Sequence, residues 1–423
     1  MTYRSNRVRH CLIAFFSALG AFGPTSSAFS QQTKAPLLIE PASSELIEQM
    51  DLPLFDRPSV SRSAMLQLNV DVLRERFVNP AADLPPDASV ALQLFEDDDT
   101  PFEFVPDNVE ERGARIIING HSITDRDDRV ILIVNGESVR GSILNEGTKL
   151  EIEPFGPSLI LLEIDQKGFV PEADPTAPES LEPTKDQGAV QDQPWPPVID
   201  IMVVYTQLAS SEDASIEDTI ILAEIETNDS YKNSGIGARV RIVHTEEVDY
   251  EEASDIFGSR NELQDPNDGI LDHVHDLRDL HRADVVGLVV GNAVSHCGVA
   301  YIMENPDVNF APFGFFVVRR SCATGYYSFG HELGHLLSAR HDKFVDATED
   351  TPFSFNHGHL APSCEVRTAM GYQHGCSAEG ADCTRKPFYS NPNVEYAGCT
   401  LGAEDSNNAL TINSTAPIVA TFR

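Results

Sequence analysis

Short apolar runs, several of them alternating with polar positions and each stopped by a turn signal, fill the chain from residue 65 to residue 164. Met65–Val72, Val90–Phe95 and Arg115–Asn119 read as strands. Arg129–Val134, Ser138–Leu144, Lys149–Glu153 and Leu159–Ile164 follow as a β-meander, joined by Asn135-Gly136, Asn145-Glu146-Gly147 and Phe155-Gly156-Pro157. The pattern predicts a small, mostly antiparallel β domain over 31–170 that carries no catalytic cluster; its one histidine, His121, is read as a loop residue. From Pro171 to Pro197 seven prolines stand in 27 residues among Glu, Asp, Gln, Ser and Thr. That stretch is expected to be an extended, solvated linker, easily cut.

Beyond the linker the period changes. Val198–Tyr205 is a buried strand, and Ser215-Ile216-Glu217-Asp218 resembles a capping box. It opens a helix with Ile216, Ile220, Ala223 and Thr227 on one face, stopped by Asn233-Ser234-Gly235. Ala238–Tyr250, Asp284–Val290, Cys297–Met303 and Phe315–Val318 are further strands, and Gly269–Leu280 is a helix whose His273 and His275 do not share a face. Ser406–Thr421 reads as a terminal helix that Pro417 weakens. Strands alternating with helices give 198–423 a βα-like pattern.

A chain of 423 residues with 41% hydrophobic content calls for two domains. A formal charge of −36 argues against nucleic acid or an anionic membrane surface as partner. The head, 1–30, changes the picture further: Arg4, Arg7 and Arg9 precede the apolar run Cys11–Phe22, and Ala28-Phe29-Ser30 offers a cleavage site. This is expected to be a signal peptide of a secreted protein. No segment reaches the roughly 20 apolar residues that span a bilayer, so no stable membrane insertion is expected. Without Cys11, six cysteines remain, and an oxidising compartment favours three disulfides. Fifteen connectivities exist for six cysteines. Proximity to the histidine motif described next favours Cys297 with Cys322, and short spacing Cys376 with Cys383, leaving Cys364 with Cys399.

The chemistry is concentrated in Phe329-Gly330-His331-Glu332-Leu333-Gly334-His335-Leu336-Leu337-Ser338-Ala339-Arg340-His341-Asp342. His331 and His335, four apart on a helix, project from one face about 5–6 Å from each other and can grip one metal ion. His341 supplies a third nitrogen, leaving the fourth tetrahedral position open, as in a catalytic zinc site. Glu332 stands where its carboxylate reaches a water rather than the metal, which suits a general base. Thr324 is placed to cap this helix. His357, His359 and His374 are loop histidines without a matched carboxylate and are expected to be solvated. The acidity would tolerate Ca2+, yet no EF-hand or nonapeptide repeat asks for it.

With Met370 downstream in Arg367-Thr368-Ala369-Met370-Gly371-Tyr372, the motif resembles that of the metzincin zinc endopeptidases. Ile199-Asp200-Ile201-Met202-Val203-Val204-Tyr205-Thr206, the Glu226–Gly235 stretch, Arg320-Ser321-Cys322-Ala323-Thr324 and Tyr389-Ser390-Asn391-Pro392-Asn393-Val394 are similar to secreted bacterial peptidyl-Asp metalloendopeptidases. The resemblance covers 198–423 and implies a metzincin-like catalytic domain of the α/β (α+β) class, with a mixed twisted sheet and an active-site helix, preceded by a β-rich propeptide. It implies that His331, His335 and His341 bind one Zn2+, that Glu332 is the base, that Met370 forms the floor of a Met-turn, and that Tyr372 approaches the metal. It also implies cleavage of protein or peptide substrates on the amino side of Asp or Glu, for which Arg367, Arg385 and Lys386 are candidate pocket cations. The pattern departs at one place: Ser338 stands where the family has Gly, often with φ > 0, at a cost on the order of 1 kcal/mol.

Signal peptide 1–30, β domain 31–170, linker 171–197 and catalytic domain 198–423 are together arranged as a zymogen with its own propeptide as inhibitor. No cysteine lies between Cys11 and Cys297, so no propeptide thiolate can cover the metal. Two other readings remain at this point: a metzincin with an apolar pocket, and a secreted zinc-binding or adhesion protein without catalysis.

Overall fold

The computed structural model describes residues 35–42, 57–78, 88–178, 195–291 and 295–423, all within one unit, Ala35–Arg423. The expected signal segment and the centre of the linker, 179–194, lie outside the described residues.

The β-rich part is a closed barrel. Its strands are β1 (Leu37–Pro41), β2 (Val60–Leu68), β3 (Val90–Leu92), β4 (Phe102–Arg112), β5 (Arg115–Ser122), β6 (Arg129–Asn135), β7 (Ser138–Asn145), β8 (Thr148–Phe155) and β9 (Ser158–Ile164). Neighbours run β1-β2-β9-β8-β7-β6-β5-β4-β3, all antiparallel except the closing β1–β3 pair. The meander is β6 to β9 as read. Gly136 (φ 65°) and Gly147 (φ 79°) take the left-handed backbone that its first two hairpin turns require. Alternate side chains, among them Leu66, Phe104, Ile118, Leu132, Ile143, Ile152 and Leu161, fill the interior. Two strands escaped the pattern. β1 is short, and the second half of β4 is charged, exposed and interrupted by Pro106, so it shows no alternation. His121 lies on β5 rather than in a loop, its Nδ1 2.7 Å from Asp107 Oδ1.

The second part is built on a five-stranded sheet of β10 (Val198–Thr206), β11 (Arg239–Val248), β12 (Val285–Val290), β13 (Gly298–Ala300) and β14 (Phe315–Arg319), in the order β11-β10-β12-β14-β13. All pairs are parallel except the edge strand β13, which is antiparallel to β14. Its longer helices are α1 (Ile216–Asn233), α2 (Ile256–Gln264), α3 (His273–His281), α4 (Ser328–Leu336) and α5 (Asn408–Val419). Both sheet faces are covered, which is why the central strands read as continuous apolar runs. Ile199, Ile201 and Val203 pack with Phe329, Leu333 and Ile412, whereas Met202 and Val204 pack with Leu263 and Val274. α2 was not read from the sequence, and α5 runs past Pro417 near its end.

α1 shows why a local motif misleads. Ser215 makes no side-chain cap; Asp213 Oδ1 accepts from its N and Oγ instead. Asp218, the carboxylate of the apparent capping box, is paired with Arg115 of β5. The helix is buried on nearly every side because it also meets the barrel: Ile221, Leu222 and Ile225 pack on Ile117, Ile131 and Ile133. Ion pairs flank this contact, among them Arg112–Glu224 at 2.7 Å and Lys149–Glu226.

The chain between the two parts is not the solvated linker expected at its start. From β9 it runs along β13: Cys297 N donates to Pro171 O (2.8 Å), Ala173 N to Gly298 O (3.0 Å) and Ile302 N to Thr176 O (3.1 Å). Thr176 pairs with Tyr301 in parallel sense, and Glu172 and Ala173 are buried. The unmatched edge strand attracts an extended segment because its main-chain groups need partners. The disulfides are Cys297–Cys322, Cys364–Cys399 and Cys376–Cys383, the pairing expected from motif proximity, short spacing and elimination.

Candidate metal centre

α4 carries His331 and His335 one turn apart with both rings buried. Its first residue follows Tyr327, in left-handed backbone (φ 61°), and no side chain caps it. Thr324 instead ends the short helix Arg320–Ala323, so the expected capping role is not observed. The C-terminal end is closed by a left-handed residue, which is Ser338 at φ 68°. Ser338 N donates to His335 O (2.9 Å) and Ala339 N to Gly334 O (2.9 Å), the paired bonds of a Schellman end. That reversal sends Arg340 to pair with His357 and turns His341 back over the helix.

The three Nε2 atoms converge: His331–His341 3.1 Å, His331–His335 3.2 Å and His335–His341 3.0 Å. The outer nitrogens are already used. His331 Nδ1 donates to Ala369 O (2.9 Å) and His335 Nδ1 to Ala339 O (2.8 Å), while His341 Nδ1 faces Asp174 Oδ1 at 3.6 Å. With Nδ1 protonated, the inner nitrogens of His331 and His335 hold lone pairs and cannot bond one another. Burial, and then Arg385 for His331 and His341 for His335, hold both rings well below the usual histidine range, hence neutral. Three imidazole nitrogens at this separation fit ligands about 2.0–2.1 Å from a shared zinc ion. The three histidines are the one such cluster found among the described residues.

Glu332 is fully buried beside them, and neither carboxylate oxygen meets a hydrogen-bond donor among the described residues. Burial and the negative charge of Glu172 push its pKa well above the carboxylate range, against the pull of Arg385 and Arg260. Gly298 of β13 lies directly against it: a Cβ there would stand 2.5 Å from Glu332 Oε1. Met370 is buried under α4, where Gly334 lets its Sδ approach to 2.9 Å of where a Cβ would be. Its carbonyl accepts from Asp342 N (3.2 Å), and Asp342 Oδ2 accepts from Tyr372 N (2.8 Å). Asp342 therefore ties the turn after Met370 to the last histidine. The Tyr372 ring lies 4.5 Å from that of His341, and its hydroxyl donates to the Glu172 carbonyl (3.1 Å).

The remaining candidates separate. Arg367 donates to the Gly371 and Cys383 carbonyls, and Lys386 to the Gly147 carbonyl in the barrel. Arg385 alone of the three pairs with Glu172. His357 is buried rather than solvated, set between the His341 and Thr348 carbonyls, and His374 stacks near Tyr372. Sequence reasoning missed Asp342 and Gly298 as supports. Asp342 had a signal, being the residue next to the last histidine; Gly298 had none.

A helix bearing two histidines of three, a buried unpartnered carboxylate between them and a methionine floor define a zinc-dependent metallopeptidase. Residues 196–389 match Reprolysin_5, metallo-peptidase family M12. The peptidyl-Asp metalloendopeptidase of Stenotrophomonas maltophilia (strain R551-3) is 32% identical over 311 residues, 71% of this chain and 72% of that protein. The protein of the same name from Xanthomonas campestris pv. campestris is 32% identical over 303 residues, 69% of each chain. Metalloproteinase-II from Bacteroides fragilis covers 60% of this chain and 81% of its own at 15% identity, with a TM-score of 0.40, a likeness too loose to add to the sequence match. The chain belongs to the peptidyl-Asp metalloendopeptidases of metallo-peptidase family M12. It is a zinc metalloendopeptidase, a hydrolase of peptide bonds.

Proposed function

We propose that the protein is a secreted endopeptidase made as a zymogen, with Glu332 as general base, that cuts peptides on the amino side of Asp or Glu. The observation that carries this reading is the buried Glu332 carboxylate, without a hydrogen-bond donor among the described residues and adjacent to three convergent imidazoles. His331, His335 and His341 hold the zinc ion, which when bound polarises the scissile carbonyl and makes water a nucleophile near neutral pH. Glu332 takes the proton from the attacking water and returns it to the leaving amine. The Tyr372 hydroxyl donates to the substrate oxygen that gains charge, in place of its present acceptor on Glu172. The β13 edge pairs with extended substrate, so main-chain bonds supply affinity and side-chain pockets supply choice.

Secretion is supported by the head of the sequence and by the three disulfides. The domain reading keeps 1–30 as signal, 31–170 as propeptide, 171–197 as the region cut on activation and 198–423 as the enzyme. Calcium finds no support. The deciding measurement is Glu332→Ala: the variant is expected to keep stoichiometric zinc and lose casein hydrolysis, and a fully active variant would end this assignment.

A further inference from the structure

A buried ion pair at the cleft joins the two parts of the chain. Arg385 Nη1 donates to Glu172 Oε1 at 2.8 Å, and both side chains are entirely excluded from solvent. The same Glu172 oxygen accepts from Ser328 Oγ (2.8 Å), and Ser328 is the first residue of α4, one turn before His331. The amino end of a helix favours an anion there as well. Arg385 is held in place from two sides. Gln166 brackets its main chain, accepting from N (2.7 Å) and donating to O (3.0 Å), and its guanidinium lies 4.1 Å over the Tyr326 ring. Phe169 stacks on Tyr326 at 4.7 Å. Arg385 Nη1 also donates to the Tyr326 carbonyl (2.9 Å), whereas Arg385 Nε and Nη2 and Glu172 Oε2 make no hydrogen bond among the described residues, so both partners keep polar capacity that the present contact does not use.

The backbone around Glu172 is also placed as a peptide would be. Its carbonyl takes the Tyr372 hydroxyl, and its neighbours pair along β13 beside Glu332. Burying a carboxylate here is costly unless a cation answers it, and Arg385 is the one candidate cation free to do so.

We propose that Arg385 with Ser328 forms the pocket that receives the acidic side chain of a substrate, and that Glu172 fills it in the uncut chain as an internal ligand. This deepens the protease reading and rests on it. It names the substrate class, peptides with a carboxylate side chain next to the scissile bond. It also names the obstacle to activity, since a cut in 179–194 leaves Glu172 seated and the barrel with its trailing segment must then withdraw.

The test uses the full, zinc-loaded chain as wild type, Glu172→Gln, Arg385→Met and the double variant, with two peptides that differ only in Asp or Asn after the scissile bond. Uncut Glu172→Gln is expected to hydrolyse the Asp peptide at least about 10-fold faster than uncut wild type, because a neutral amide holds the pocket more weakly. After limited proteolysis of 179–194, wild type is expected to favour Asp over Asn by about 100-fold in kcat/KM, and Arg385→Met to bring that ratio below about 5. A readout free of activity is the unfolding midpoint: Arg385→Met alone is expected to unfold below the double variant, since it strands a buried carboxylate. A wild-type ratio near one, or a ratio unchanged in Arg385→Met, overturns the pocket. An uncut Glu172→Gln no faster than wild type, or additive midpoints, overturns the internal ligand. Wild type that cuts neither peptide, before or after processing, overturns the protease reading instead.

Discussion

The Ser338 hydroxyl donates a 2.6 Å hydrogen bond to the main-chain carbonyl of Met303, from a residue whose own backbone sits at φ 68°. Left-handed backbone costs a non-glycine residue roughly 1–2 kcal/mol, and a buried hydrogen bond returns about 1 kcal/mol. The side chain thus offsets the strain that its presence creates, while joining the end of the metal-binding helix to the loop after β13. Ser338→Gly is expected to leave unfolding free energy within about 1 kcal/mol of wild type, because strain and hydrogen bond vanish together. Ser338→Ala keeps the strain and strands the Met303 carbonyl, and is expected to cost about 1–3 kcal/mol. Urea unfolding of the three proteins checks this, and Ser338→Ala as stable as wild type would show that the hydroxyl contributes nothing.

Gly298 is the second place where an atom too many would be felt. A Cβ there would overlap Glu332 Oε1, Cγ and Cδ at 2.5, 2.6 and 2.8 Å, and Glu332 has no room to retreat because it is fully buried. Gly298→Ala is expected to lower kcat/KM at least about 10-fold with zinc content unchanged, since a displacement near 1 Å at a catalytic group is enough. Metal analysis beside peptide hydrolysis distinguishes this from loss of the metal.

Tyr372 offers its hydroxyl to a carbonyl of the segment that lies in the cleft. Burial, then Glu172, push its phenol well above the ordinary range, so it remains a donor throughout the working pH of the enzyme. Tyr372→Phe is expected to lower kcat of the processed enzyme about 100-fold with KM little changed. An unaltered kcat would reduce Tyr372 to a packing residue.

The contact between barrel and catalytic part carries a pH dependence of its own. Glu151 on β8 is buried, and burial raises its pKa from 4.5 to about 7 against the pull of Lys149. The folded protein therefore holds this proton more tightly than the unfolded chain. The stability it contributes is complete below pH 4.5 and is lost as pH rises through about 7. Burial is the largest influence on Lys149 and works against its charge, but Glu226, Tyr327 and Glu151 together outweigh it and raise that pKa, so Lys149 titrates outside this window. Glu151→Gln is neutral at every pH. It is expected to match wild type near pH 4.5 and to be more stable at pH 8, by on the order of 1–3 kcal/mol, in denaturant unfolding followed at both pH values.

Periods of two and 3.6 are local, and what rests on them was legible. The meander β6 to β9, the buried run Val198–Tyr205, the spacing of His331 and His335 and the place of Glu332 between them follow from neighbours within a few residues. Of the cysteine pairs, Cys376–Cys383 was read from its short separation, Cys297–Cys322 from its nearness to the histidine motif and Cys364–Cys399 as the remainder. Features that depend on two distant stretches meeting were not legible. Closure of the barrel through β1 and β3, the capture of Asp218 by Arg115, and the clamp of Asp342 on the Tyr372 amide leave no periodic trace.

The sequence by itself therefore singled out the three histidines that converge, Glu332 beside them and the βα pattern of the catalytic part, and its family resemblance implied a cation for an acidic side chain. It left Arg367, Arg385 and Lys386 equal. Only the tertiary structure separated them, by spending Arg367 and Lys386 on main-chain carbonyls and setting Arg385 against Glu172, 213 residues earlier in the chain. The reason is physical: a residue's type fixes what charge it carries, but whether that charge is used up, solvated or aimed into a dry cleft depends on which distant segment packs beside it.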